Sequence, residues 1–248
     1  MSYARTLMVT KRVATQLWRD RRFLVLSVVA PLLIVYFLKL FFDTMSGPGF
    51  SVSRYIVPVA AFIVHFLTYL LCAIVLVRER VAQTLSRMFI NGFRRLEIIV
   101  GYILAYTLLA TVQSLLVLIE INWFFGLEYS LDKLLSIFAV IWLLAVISIA
   151  LGIFFSNFAR NEGQVFPFIP LVIFPSIFLS GLLITVERLP EGWQLVSRAI
   201  PLYYANQVLQ KLITPNGTLG DEWFNLVALL TYGAVVLILA NFTLREQE

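Results

Sequence analysis

Long apolar segments separated by short polar ones dominate the pattern of residues along this 248-residue chain. A helix needs about 20 apolar residues to cross a bilayer core roughly 30 Å thick. Six segments have that length, at residues 23–42, 55–77, 98–125, 134–155, 165–186 and 223–243. Because the runs are continuous rather than alternating apolar and polar, they predict helices and not barrel strands. The sequence therefore predicts an all-α integral membrane protein with six transmembrane helices in one domain covering residues 1–248.

The composition and the distribution of positive charge refine this prediction. Hydrophobic residues make up 60% of the chain and charged residues 13%, and a soluble fold of that composition would expose large apolar patches. Thirteen Lys and Arg residues precede the first span or follow the second, fourth and sixth spans, and five lie on the other side. The positive-inside rule then predicts a multi-pass protein of the cell (inner, cytoplasmic) membrane with both termini cytoplasmic. The charge lies at membrane edges, so the net +5 does not indicate nucleic-acid binding.

The first 22 residues are predicted to form an amphipathic helix in the plane of the lipid headgroups. One side carries apolar residues at helical spacing and another carries arginines seven residues apart, the two sets being Tyr3, Leu7, Ala14, Leu17 and Trp18, and Arg5, Arg12 and Arg19. Such a helix would place its basic residues near anionic membrane lipid. The alternative is that these residues serve only as a positive flank that orients the first span.

The link at residues 78–97 is the longest on the predicted cytoplasmic side, and its pattern predicts a short amphipathic helix. The apolar face consists of Val81, Leu85, Met88 and Phe89, and the opposite face of Arg80, Gln83, Thr84 and Arg87. Asn91 and Gly92 then end the helix with turn chemistry. From the pattern alone, this helix either lies on the membrane surface or docks into a groove of a cytoplasmic partner.

The fifth span carries Pro167, Pro170 and Pro175 and is followed by Ser180 and Gly181. Proline removes a backbone donor and kinks a helix, and broken helices persist in membranes where neighbours satisfy the backbone. The apolar outer stretch that follows contains Pro190, Pro201 and Tyr204. We therefore predict a partly re-entrant outer segment between spans five and six. The alternative is one kinked helix followed by a loop on the membrane surface.

Four polar residues lie inside the predicted spans, where they often mark function. Lys39 is close enough to the outer end of its span to snorkel to the headgroups. Glu120, five residues from the outer end of the third span, either faces an outer vestibule or pairs with Lys39. His65 and Gln113 are expected to form interhelical hydrogen bonds, or to line a transport pathway.

Signatures of catalysis are absent from the sequence. It contains no GxxxxGK[ST] phosphate loop, no HExxH, no CxxC and no GxSxG motif. His65 is the only histidine and Cys72 the only cysteine, which excludes a multi-histidine metal site and an intrachain disulfide. We expect a protein that is not an enzyme and that binds neither a metal nor a nucleotide cofactor itself.

Two sequence runs carry a resemblance to a known family. The run RERVAQTLSRMFINGFRRLEIIVGYILAY, residues 78–106, resembles the cytoplasmic loop and third span of ABC-2-type export permeases. Its matching residues are Arg78, Glu79, Thr84, Leu85, Arg95, Glu97, Gly101, Ala105 and Tyr106. The run LSGLLITVERLPEGWQLVSRAIPLYYANQVLQ resembles the family's outer segment, through Ser180, Gly181, Leu189, Pro190, Pro201, Leu202 and Tyr204. The chain departs from the family where Gln83 replaces a common glycine and where Ile90 and Asn91 replace a common Thr-Pro.

The resemblance implies the membrane half of an ATP-driven exporter. It implies a second permease chain, identical or related, and two separate ATPase subunits that hold ATP and Mg. The link between spans two and three would act as the coupling helix that the ATPases push. Its residues would be Arg78, Glu79, Arg80, Gln83, Thr84, Arg87, Met88 and Phe89.

The cargo that we expect is a hydrophobic drug, an antibiotic or a lipid-like molecule. A permease for polysaccharide or glycolipid is the alternative within this architecture. An ion-coupled secondary transporter would need carboxylates at membrane depth and repeated halves, and only Glu120 qualifies. A non-transporting scaffold is a further alternative.

Overall fold

The computed structural model describes residues 2–44 and 52–244, which form helices and turns without a strand. The helices are α1 (Tyr3–Arg19), α2 (Arg21–Thr44), α3 (Ser53–Val81), α4 (Thr84–Ile90), α5 (Arg95–Phe125), α6 (Leu131–Ser156), α7 (Phe168–Leu179), α8 (Glu191–Ser197), α9 (Pro201–Leu212) and α10 (Trp223–Thr243). Six helical segments, containing α2, α3, α5, α6, α7 and α10, are long and apolar enough to cross a membrane. The predicted all-α, six-span fold is confirmed. Arg245, which entered the charge count, lies outside the described residues.

Helices α3, α5 and α6 form the centre of the bundle, and α3 and α6 pack along much of their length. Their backbones touch at Gly152. A Cβ atom there would lie 2.8 Å from the carbonyl oxygen of Tyr69 and 3.0 Å from the Cβ of Cys72. Small residues at such a crossing let membrane helices approach closely, and van der Waals packing then holds them together.

The flanking helices α2, α7 and α10 instead expose most of their apolar side chains. Examples on each are Leu26 and Phe37, Leu171 and Phe178, and Leu230 and Ile238. Exposure of so large an apolar surface to water is unfavourable, whereas contact with lipid or another membrane subunit is not. The protein is accordingly a multi-pass membrane protein whose outer helices meet an apolar environment.

The fifth span differs from the prediction of residues 165–186. Its α-helix, α7, contains only 12 residues and is therefore about 18 Å long, less than the roughly 30 Å of a bilayer core. A short 3-10 turn, Glu162–Val165, precedes it. The chain then turns at Gly181, whose φ of +85° suits glycine, and α9 packs beside α3, α6 and α10. Entry of this outer segment into the membrane stays a prediction.

Candidate functional site

The turn between α3 and α4 lies at the end of the bundle where α1 also lies, called the α1 end below. Helix α3 continues through Val81, so Arg80 and Val81 belong to it and not to the short helix predicted around them. Gln83 follows with a left-handed φ of 58° and ψ of 19°, a conformation that favours glycine. This is the position where the resembling family commonly has glycine. The left-handed residue separates α3 from α4 and changes which side chains share a face.

The apolar side of helix α4 is buried within the protein. Leu85 and Met88 are buried, Phe89 is half-buried, and Thr84 begins the helix. Exposed residues surround this helix on its outer side, and Ile90 is 85% exposed. We call this set the loop surface, and it consists of Gln83, Arg87, Ile90, Arg94 and Arg95. It carries three arginines and one apolar side chain, that of Ile90, and all five residues are exposed at the α1 end.

Arg80 does not lie on the polar face that the sequence pattern predicted, and that prediction is wrong for this residue. Its guanidinium is buried and donates to the carbonyls of Ser156 (2.5 Å) and Ala159 (3.0 Å). It also donates to the side-chain oxygen of Asn157 at 2.8 Å. The last carbonyls of a helix lack intrahelical partners, and Arg80 supplies donors at the end of α6. Its place in the fold is to tie α3 to α6.

Glu79 is also buried, with 3% of its side chain exposed, and pairs with a residue far away in sequence. Arg12 of α1 donates to the Glu79 carboxylate at 2.8 Å and to the Tyr102 hydroxyl of α5 at 2.8 Å. One guanidinium therefore joins α1, α3 and α5. The sequence pattern placed Arg12 among the arginines near lipid and did not mark Tyr102, because nothing local indicates a partner 67 or 90 residues away.

Further contacts fix α1 against the start of α5. The backbone N–H of Ser2 donates to Glu97 at 2.6 Å, and Arg5 donates to the carbonyl of Gly92 in the turn after α4. Val9 packs directly on Gly101, where an added Cβ would lie 2.6 Å from the Val9 Cβ. These contacts connect α1 to both ends of the segment that carries the loop surface.

The faces of α1 differ from the predicted ones. The buried side is formed by Val9, Val13 and Leu17, whereas Tyr3 and Trp18 are exposed. Two apolar stripes therefore run along α1, one against the protein and one facing outward. The outward stripe is the one that suits a membrane surface, and an interfacial position for α1 stays a prediction.

Arg78 completes the network at the α1 end. It is half-exposed and lies 3.3 Å from the carboxylate of Asp20, between α1 and α2, and 3.1 Å from that of Glu162, before α7. With Arg12 and Arg80, it links α1, α3, α5, α6 and the segment that leads into α7. A displacement of the loop surface would therefore reach several spans at once.

The polar residues inside the spans form separate contacts. His65 Nδ1 lies 2.6 Å from the Ser148 hydroxyl, which joins α3 to α6. Gln113 accepts from the Thr68 hydroxyl at 3.1 Å and donates to the carbonyl of Ser27 at 2.8 Å. Both residues thus make interhelical hydrogen bonds. A place for either in a transport pathway stays a prediction.

Lys39 and Glu120 do not pair in the structure. Lys39 binds Asp43 at 2.6 Å, one turn later on α2, and lies 5.9 Å from the Phe125 ring centre. Glu120 is buried, with 9% of its surface exposed, and its Oε2 has no hydrogen-bond partner among the described residues. A vestibule role for Glu120 stays a prediction.

Two of the predicted outer residues, Ser180 and Gly181, form the turn after α7. Ser180 accepts a hydrogen bond through its carbonyl from the buried Asn206 of α9 at 2.9 Å. With Gly181, Asn206 lines a cavity of about 170 Å³ that also includes Arg54 at the start of α3. This cavity lies at the bundle end opposite α1.

The proline positions and Tyr204 shape the two outer helices. Pro190 precedes the first residue of α8, and Pro201 is the first residue of α9, a position that suits proline. The Tyr204 hydroxyl donates to the carbonyl of Arg198 at 2.8 Å, and partial burial raises the pKa of this hydroxyl. Tyr204 therefore donates as a neutral phenol and fixes the corner between α8 and α9.

Comparisons with known proteins place this sequence in a family. Residues 5–214 match the model of the family described as ABC-2 type transporter. The chain is 21% identical over 189 residues to the probable multidrug ABC transporter permease YbhR of Escherichia coli, covering 76% of the chain and 51% of that protein. It is 23% identical over 150 residues to the linearmycin resistance permease protein LnrN of Bacillus subtilis, covering 60% and 38%. It is 24% identical over 176 residues to ABC transporter G family member 20 of Dictyostelium discoideum, covering 69% and 24%.

The chain spans only about a quarter to a half of the length of these relatives. The family match nevertheless covers most of its own length, from before the Arg12 contact to the end of α9. The chain belongs to the ABC-2 type transporter family.

Proposed function

We propose that this chain is the membrane-spanning subunit of an ABC exporter. It would form the outward route for a hydrophobic drug, an antibiotic or a lipid-like molecule. ATP and Mg²⁺ would be held by two separate ATPase subunits, and a second permease chain, identical or related, would complete the route. Membership of the ABC-2 type transporter family supports the permease assignment. The cargo class draws support from relatives named for multidrug transport and linearmycin resistance.

The observation that carries this proposal is the connection between the loop surface and the bundle. Arg87 and Ile90 project outward, whereas the residues just before them in the chain, Glu79 and Arg80, are buried in contacts with α1, α5 and α6. A partner that pushes on the loop surface would therefore move α1 and the inner ends of the spans together. Such a push can shift a bundle between two packed arrangements, because closely packed helices deform discontinuously.

The experiment compares two charge reversals, Arg87→Glu and Arg188→Glu. Both arginines are exposed, so neither substitution strands a buried group, but Arg188 lies at the opposite end of the bundle. The tagged chain is purified from native membranes, and the ATPase that accompanies it is identified and quantified by mass spectrometry.

Arg87→Glu is expected to reduce the recovered ATPase about tenfold, because repulsion at an interface costs one or more kcal/mol. Arg188→Glu is expected to leave recovery unchanged. Absence of an ATPase from the wild-type preparation, or equal recovery with both variants, would contradict the proposal.

A further inference from the structure

An apolar groove opens between α1, α2 and α5 near the α1 end of the bundle. Its volume is about 400 Å³, and its walls include Trp18, Leu24, Val28, Leu108 and Val112. Leu108, Val112 and Trp18 are exposed, so the groove is open to the surroundings of the bundle. Because α2 and α5 are long and apolar enough to cross a membrane, lipid or another membrane subunit would border most of the groove's length.

Two cations, Arg21 and Lys11, precede residues of this groove on α2 and α1. Arg21 lies three residues before Leu24 and seven before Val28, and therefore on the same stripe of α2. Lys11 lies two turns before Trp18 on the same side of α1. Both cations are exposed. The stripe therefore begins with a cation and continues with apolar side chains. A phospholipid lying along it would match this order, with its phosphate near Arg21 and its acyl chain in the groove.

We propose that this groove binds one anionic phospholipid of the leaflet next to α1. Its phosphate lies beside Arg21 and Lys11, and one acyl chain lies along Leu24, Val28 and Val112. Trp18 covers the boundary between headgroup and chain, as aromatic side chains do at membrane interfaces. A cationic side chain at the membrane surface attracts an anionic lipid, whereas a zwitterionic lipid gains little from it. A hydrophobic cargo molecule would gain nothing from the two cations.

The first test measures lipid retention by native mass spectrometry on the full chain in detergent, with phosphatidylglycerol and phosphatidylcholine of equal chain length as probes. Wild type is expected to retain one phosphatidylglycerol molecule and to prefer it over phosphatidylcholine. Val28→Trp fills the groove and is expected to lose this lipid. Leu26→Trp introduces the same side chain on an exposed, outward face of α2 and is expected to keep the lipid. Arg21→Gln is expected to weaken retention about fivefold.

A second measurement does not depend on the folding of Val28→Trp. The fluorescence of wild type minus that of Trp18→Phe isolates the emission of Trp18. Phosphatidylglycerol brominated on its acyl chain is expected to quench this emission more strongly than brominated phosphatidylcholine.

Equal retention of the two lipids, equal quenching by them, or unchanged retention in Val28→Trp would overturn the proposal. Equal retention would assign the groove to any apolar chain, cargo included. Both measurements need neither an ATPase nor transport, so their outcome is independent of the proposed function.

Discussion

Removing either partner of the ion pair between Arg12 and Glu79 is expected to lower stability, but by different amounts. The Glu79 side chain is 3% exposed, whereas Arg12 keeps 34% exposure. Arg12→Gln therefore strands a carboxylate in a place that water does not reach. Glu79→Gln leaves a guanidinium that water can hydrate and that still donates to the Tyr102 hydroxyl.

The magnitudes follow from this difference in exposure. Breaking a buried pair so that an uncompensated charge remains costs about 3–5 kcal/mol, and we expect a value near the lower end for Arg12→Gln. Loss of one hydrogen bond with a hydratable partner costs about 1 kcal/mol, which is the expectation for Glu79→Gln. In the double variant, no charge is stranded, so its cost is expected to be about 1–2 kcal/mol, well below the sum.

Thermal unfolding of the purified chain in detergent measures these differences. In a chain of this size, 1 kcal/mol shifts Tm by about 2–4 °C. Arg12→Gln is therefore expected to lower Tm by about 6–12 °C, and the double variant by clearly less. Equal shifts for the two single variants, or shifts that add in the double variant, would refute the reasoning from burial.

Two other predictions concern single backbone positions. Gln83→Gly is expected to raise the free energy of unfolding by about 1 kcal/mol, because it removes the strain of a left-handed backbone at a residue with a Cβ. Gln83→Ala keeps a Cβ and is expected to give no gain. Equal Tm values for the two variants would contradict this reasoning. Gly152→Ala places a methyl group 2.8 Å from the Tyr69 carbonyl and is expected to cost about 1–3 kcal/mol in thermal unfolding. Gly192→Ala, where nothing lies within 4 Å, serves as its control, and an unchanged Tm for Gly152→Ala would show that α3 and α6 are not in close contact.

The architecture could be predicted because lipid imposes a simple requirement on sequence. A span must be a long apolar helix, so length and hydrophobicity alone locate it. The end of α7 was placed too late because apolar residues continue after Leu179, beyond the point where Gly181 turns the chain. Hydrophobicity does not distinguish an apolar helix from the apolar turn that follows it.

The site was harder to predict because helical phase was assumed across residues 80–89. Gln83 interrupts that phase, so Arg80 lies in the interior although its spacing places it with Arg87. The departure from glycine at position 83 was visible in the sequence, but its conformation was not. The partnership of Arg12 with Glu79 had no sequence signal at all, since it depends on how α1 lies across the bundle.

The close crossing of α3 and α6 at Gly152 has a mechanical consequence. Two helices whose backbones are in contact resist sliding past each other, so α3 and α6 are expected to move together. Helix α3 has 29 residues and is about 43 Å long, with the Gln83 turn just beyond one end and Arg54 of the 170 Å³ cavity at the other. A tilt of this pair at the end near Gln83 would therefore displace its other end, beside the cavity, in the opposite sense.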